Sequence, residues 1–222
     1  MASHLDLEEQ EQLDQLKAFW KRWGNLITWV LTAVLAAFAA WQGWTWYQRE
    51  QAAKAAAMYE EFDRAMTAQD ADKAAAAAGD LKTRYASTGY AAQAGLQVAK
   101  LQLDKGKVDD AKQSLAWVVE QGSEAAYRDL ARLRLAGLQL DAKAFDEATK
   151  TLDAIKSAEF AALVADRRGD ALLMQDKRDA AKAEYQKALA GLEKTQDYRR
   201  IVEAKLATLG VPTAVEATGA AQ

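Results

Sequence analysis

The chain has 222 residues, of which 51 are Ala and one is Pro, Pro212. Such a composition favours helix almost throughout, because Ala loses no side-chain entropy on entering one. With no Cys, a single His (His4) and a net charge of −3, the sequence excludes a disulfide-stapled fold, Cys- or His-ligated zinc and thiol catalysis, and argues against a nucleic-acid binder.

Residues 1–22 form a short lead, acidic at first and basic at its end. Leu5, Gln12 and Leu16 follow helical spacing loosely, so a short surface helix competes here with a simply solvated segment. From Trp23 to Gln48 there are 26 residues without a charge, enough to cross a bilayer, which needs about 20. Trp20 and Trp23 mark one end of this run, and Trp41, Trp44, Trp46 and Tyr47 the other. Trp23 and Trp44 lie about 31 Å apart along a helix, the spacing of two interfacial aromatic belts. The expectation is a transmembrane anchor over 23–48, with those six aromatics as interfacial anchors in the lipid bilayer. A buried core helix and a cleaved signal peptide compete for the same segment. The first rarely carries Trp at both ends, and the acidic lead and the length of the run are wrong for the second. Lys17, Lys21 and Arg22 precede the span while Arg49 and Lys54 follow it, so the positive-inside rule favours a cytoplasmic N-terminus by a narrow margin.

No Gly or Pro separates Trp44 from Ala78, so the span is expected to run into the first soluble helix through Met58, Phe62 and Met66. A weak helix pair over 52–85, turning at residues 70–72, precedes a clear repeat. Ala99, Leu101, Gln102, Leu103, Asp104, Asp109, Ala111 and Leu115 recur 37 positions later as Ala136, Leu138, Gln139, Leu140, Asp141, Asp146, Ala148 and Leu152. A looser third copy places Gly169 twelve residues before Ala181, the spacing that also joins Ala99 to Ala111 and Ala136 to Ala148. Helix, short turn, helix in units of about 34 residues is the tetratricopeptide-like (TPR-like) pattern. A generic Ala-rich helical bundle is the competing reading. Ser87 or Thr88 is a candidate cap for the helix that follows. A last helix near 197–209 closes the stack, and a disordered tail is expected over 210–222. The expected fold is therefore all-α: one transmembrane helix, then a TPR-like α-solenoid of antiparallel helix pairs over 49–209.

The absence of a glycine-rich phosphate loop completes an empty catalytic inventory, and carboxylate pairs such as Glu60-Glu61 and Asp109-Asp110 read as solvated faces or caps. No enzyme activity, cofactor or metal is expected. A binding scaffold is, and in such stacks the first helix of each pair lines the concave side. The stripe there is Leu96, Lys100 and Leu103, then Leu130, Leu133 and Leu140, then Leu163, Asp166, Asp170 and Leu173. It forms a candidate partner groove with Asp166, Asp170 and Lys100 as a polar rim. The first helices carry a second apolar stripe, including Val98, Leu101, Leu135 and Leu138, so one of the two stripes is an open groove or both are core.

Several stretches are more specific than a generic repeat requires. They are Glu11-Gln12 with Leu16-Lys17, Gly43-Trp44, Tyr85, Tyr90-Ala91, residues 132–136 (Arg-Leu-Arg-Leu-Ala), residues 151–155 (Thr-Leu-Asp-Ala-Ile) and above all residues 163–172 (Leu-Val-Ala-Asp-Arg-Arg-Gly-Asp-Ala-Leu). Over about residues 8–192 the chain resembles the YfgM-like ancillary subunits of the bacterial SecYEG translocon. The resemblance implies a single-pass inner-membrane protein with a cytoplasmic N-terminus and a periplasmic TPR-like domain. It also implies association with SecYEG and with a membrane-anchored chaperone of the prolyl-isomerase-like PpiD type, and a role in passing unfolded, newly translocated proteins to periplasmic chaperones. It brings no catalytic residues. A structural scaffold in another bacterial envelope complex is the alternative function.

Overall fold

A computed structural model describes residues 7–193, 195 and 197–211, with side chains from Glu11 onward. His4, Leu5 and the expected tail beyond Val211 lie outside the described residues. The chain divides into two units, Met1–Glu50 and Gln51–Gln222.

Helix α1 (Leu7–Thr67) begins in the first unit and ends in the second. The lead is thus helical from Leu7, and the span continues without a break through Met58, Phe62 and Met66, as the missing breakers predict. Among the described residues α1 is the one helix long and apolar enough to cross a membrane. Its threonines keep their hydroxyls within the helix: Thr28 donates to the Gly24 carbonyl, Thr32 to that of Thr28 and Thr45 to that of Trp41, each at 2.8 Å. Lipid offers no alternative partner, so hydroxyls in a span must be satisfied this way.

The second unit holds the end of α1 and then α2 (Ala71–Arg84), α3 (Gly89–Asp104), α4 (Val108–Gln121), α5 (Ala125–Asp141), α6 (Phe145–Asp153), α7 (Ala161–Leu173), α8 (Arg178–Gly191) and α9 (Asp197–Thr208). A 3-10 turn, Ala158–Phe160, leads into α7. Consecutive helices pair from α2 onward, and α3 also packs on α5, and α5 on α7. This is the expected solenoid.

The four within-pair turns share one geometry. Gln69, Gly106, Lys143 and Asp176 each adopt a left-handed φ of 55–75°. Each N–H bonds back to the carbonyl three residues earlier, and the next N–H to the carbonyl five residues earlier. This Schellman arrangement satisfies the carbonyls that end a helix. The turns fall 37, 37 and 33 residues apart, so the weak pair over 52–85 is a full unit in register with the others. Five residues past each turn lie Ala74, Ala111, Ala148 and Ala181, all inaccessible to solvent. Four residues further along are Ala78, Leu115, Leu152 and Tyr185, also buried. Small side chains at the first position let each second helix close on its partner. At Gly169 the approach is tight: an added Cβ would lie 2.5 Å from the Tyr185 ring.

Helix starts draw on backbone and charge more than on side-chain caps. Asp70 caps α2 through the Lys73 amide at 3.1 Å. Thr88 occupies the cap position of α3 but makes no cap bond, because its hydroxyl donates to the Tyr85 carbonyl at 2.7 Å. Helices α4, α6 and α8 instead carry acids in the first turn (Asp109, Asp110, Asp146, Glu147, Asp179), favourable against the helix dipole.

Candidate partner-binding groove

The leucines expected to form an open stripe divide into two classes. Leu96 (4% exposed), Leu133 (9%) and Leu140 (3%) are core. Leu96 packs with Ala99, Leu115, Val118 and Ala131, Leu133 with Ala136, Leu152 and Val164, and Leu140 with Ala148 and Ala171. Leu103, Leu130, Leu163 and Leu173 are half-buried. The second stripe is core as well, with Val98 and Leu101 inaccessible and Leu135 and Leu138 packed against the cluster. The reason is geometric: α3 and α5 each touch their own pair and also the first helix of the next, which leaves only part of each flank open.

The expected polar rim is likewise displaced. Lys100 is exposed and pairs with Asp104 of its own helix at 3.2 Å. Asp166 is completely buried, and with Asp170 it meets Lys205 of α9. The Lys205 ammonium donates to both Asp166 oxygens at 2.8 and 2.9 Å and to Asp170 Oδ1 at 2.6 Å. Tyr198 donates to Asp166 Oδ2 and Tyr185 to Asp170 Oδ1, both at 2.7 Å, while Arg167 Nη1 reaches Asp170 Oδ2 at 3.0 Å. Burial, then donation to an ionised carboxylate, pushes both phenols well above their ordinary pKa. They therefore stay protonated and donate to the carboxylates. The cluster welds α9 to α7 and sets the inner surface of the last unit.

Two cavities open on that surface. One, about 560 Å³, is lined by Leu133, Ala162, Leu163, Arg167, Leu192 and Tyr198, with Glu159, Gly191 and Asp197 completing it. The other, about 410 Å³, is lined by Gly137, Leu140, Asp141, Arg167, Asp170, Leu173, Met174 and Tyr185. Arg167 lines both. Five predicted residues, Leu133, Leu163, Leu140, Asp170 and Leu173, thus fall on cavity walls, whereas Leu96, Lys100 and Leu103 belong to α3, and Leu130 of α5 packs back against the cluster around Leu96. Sequence reasoning missed Ala162, Leu192 and Tyr198. Their signal was weak, because Leu192 and Tyr198 belong to the segment around α9, whose side chains do not match the earlier copies.

A second buried acid shapes the same region. Asp129 of α5, 3% exposed, accepts from the Ser157 hydroxyl (2.6 Å), the Ser157 amide (3.1 Å), the Lys156 amide (3.3 Å) and Arg132 (2.6 Å). Burial opposes its ionisation, but the Ser157 bonds, Arg132 and the Lys156 amide outweigh it and hold the carboxyl below its ordinary pKa. It fixes the loop between α6 and α7, and so the position of Glu159 and Leu163 over Leu133. Among the described residues no group of three or more His, Asp or Glu side chains converges as metal ligands would.

A model of the tetratricopeptide repeat-like domain matches residues 17–211. The chain is 30% identical over 210 residues to the ancillary SecYEG translocon subunit of Neisseria gonorrhoeae, covering 94% of this chain and all of that protein. It is 28% identical over 182 residues to the subunit of the same name from Haemophilus influenzae, covering 82% and 89% of the two chains. A 97-residue stretch, 44% of this chain and 47% of the relative, is 36% identical to that of Escherichia coli. With four helix pairs in one register and one candidate membrane helix among the described residues, and this similarity along nearly the whole chain, the protein belongs to the tetratricopeptide repeat-like family of ancillary SecYEG translocon subunits.

Proposed function

We propose that the protein is a non-enzymatic adaptor of the Sec translocon, held in the inner membrane by a single span with its N-terminus in the cytoplasm. In this reading residues 1–22 are the cytoplasmic lead and 23–48 the span, with Trp20, Trp23, Trp41, Trp44, Trp46 and Tyr47 at its interfaces. Residues 49–209 are the periplasmic TPR-like domain and 210–222 a tail. The domain receives apolar segments of newly translocated, unfolded chains, or of a membrane-anchored chaperone of the PpiD type, and passes clients on.

The observation that carries this reading is the pair of cavities that share Arg167, the first apolar at Leu133, Leu163 and Leu192 and the second at Leu140, Leu173 and Met174 beside Asp141 and Asp170. The names of the relatives support the choice of SecYEG as the assembly. Shallow apolar cavities suit weak, exchangeable contacts, which a protein that must release its client requires. The test is purification of the full chain in mild detergent with identification of co-purifying chains, wild type against Leu163→Glu. Recovery of Sec subunits, with loss of the chaperone from the variant at an unchanged thermal midpoint, is the expected result. Recovery of another envelope machine would instead make the protein a scaffold of that assembly. Protease added to opened spheroplasts should digest the chain after Arg49, and protection there would reverse the orientation.

A further inference from the structure

The helix ahead of the span carries an apolar face that is exposed among the described residues. Leu13, Leu16, Phe19, Trp20 and Trp23 are all exposed, at 40–63%. At 100° per residue they occupy one arc of about 120°. Glu11, Asp14, Lys17, Lys21 and Arg22 occupy the rest, with Lys17 paired to Asp14 at 3.2 Å on the polar side. Two clusters of chemistry are ordered along the helix. The acids lie farther from the span, and Lys17, Lys21 and Arg22 lie next to it.

Continued straight along the bilayer normal, Leu13 would stand about 15 Å beyond Trp23. The headgroup zone is only about 7 Å deep on each side, so Leu13 and Leu16 would sit in water. Leu, Phe and Trp on one face, with Lys and Arg on the other, is the pattern of a helix lying in the membrane surface. The junction is suited to turning it there. Gly24 and Asn25 are both poor helix formers, and Gly is a usual site of helix bends. The Trp20 indole lies across Gly24, so that a Cβ on Gly24 would meet it at 3.1 Å.

Helix α1 runs unbroken through Gly24 in this structure; we propose that in a bilayer it bends there and residues 11–23 lie as a membrane-surface helix. Leu13, Leu16, Phe19 and Trp20 insert between lipid headgroups, and Lys17, Lys21 and Arg22 contact anionic phosphates. The occupant is lipid because the face runs directly into the lipid-facing span and because the cations adjoin that junction. The inference rests on residues 23–48 being a bilayer span and not on which side the lead occupies.

The native absence of Cys makes the test direct. The full chain, reconstituted in vesicles of phosphatidylcholine with phosphatidylglycerol, is spin-labelled at one introduced Cys: Leu16→Cys, Asp14→Cys or Leu31→Cys. The oxygen-to-nickel-chelate accessibility ratio reads depth. The expected result is a several-fold higher ratio at 16 than at 14, falling when Lys17, Lys21 and Arg22 are all replaced by Gln. Equal ratios at 14 and 16 overturn the proposal, as does spin–spin broadening at 16 that vanishes on dilution with unlabelled chain, which would mean a second copy covers the face. An aqueous ratio at 31 would overturn the span reading itself, a failure distinct from failure at 16 alone.

Discussion

Replacing Lys205 by Met removes the ammonium that, among the described residues, joins α7 to α9. Asp166, completely buried, would keep just the Tyr198 hydroxyl, and Asp170 would keep Tyr185 and Arg167. Breaking a buried pair by deleting one partner costs about 3–5 kcal/mol, because the remaining charge is stranded. Helix α9 is the end element of a solenoid, so the loss should appear as local detachment before global unfolding. Hydrogen exchange measured by mass spectrometry should show amides of 197–208 exchanging two to three powers of ten faster, at about 1.4 kcal/mol per tenfold, while α3 and α4 keep their protection. The double variant Asp166→Asn with Lys205→Met removes both charges and should restore much of the protection. If Lys205→Met leaves α9 protection unchanged, the cluster does not hold the last helix. The shape of the cavity formed by Leu192 and Tyr198 would then need another cause.

Asp129→Asn should lower stability at neutral pH by about 2–3 kcal/mol, since the Ser157 and Arg132 bonds lose their ionic character. Because the folded carboxyl lies below its unfolded value of 3.8, that contribution is complete above this value and is lost as pH falls below it. Urea midpoints of wild type and variant should therefore converge toward pH 3. Gly169→Ala forces a Cβ against the Tyr185 ring and should cost about 1–3 kcal/mol. Gly137→Ala meets nothing within 4 Å and should stabilise by about 0.5–1 kcal/mol through helix propensity. Paired thermal melts check the contrast, which vanishes if the two positions pack alike. Ala148→Leu overpacks the inaccessible contact of α6 and should also cost about 1–3 kcal/mol by chemical denaturation.

The class of the fold was legible from the chain alone, for local reasons. A long charge-free run flanked by Trp describes a membrane helix by itself, and the recurrence of Ala99 as Ala136 and of Leu115 as Leu152 declares a stack, because each unit must bury the same positions. The first helix pair was less legible. It carries Phe62 where its neighbours have Ala99, Ala136 and Gly169, and its turn residue is Gln69 where the next turn has Gly106. Identity of side chains faded there while backbone geometry did not, since a left-handed residue can be Gln, Gly, Lys or Asp when the surrounding hydrogen bonds hold it. The groove was legible only as a pair of apolar stripes. Periodicity states which residues share a helix face, but not how many neighbouring helices cover it. Packing of α3 on α5 and of α5 on α7 turned Leu96 and Leu140 into core, and Lys205, 39 positions beyond Asp166, converted an expected rim into a buried weld. Sequence alone determined the anchor, the repeat and the turn spacing, all set by contacts within about 37 residues. Tertiary structure decided which leucines face solvent and where the cavities open, because those depend on α9, whose sequence follows no repeat.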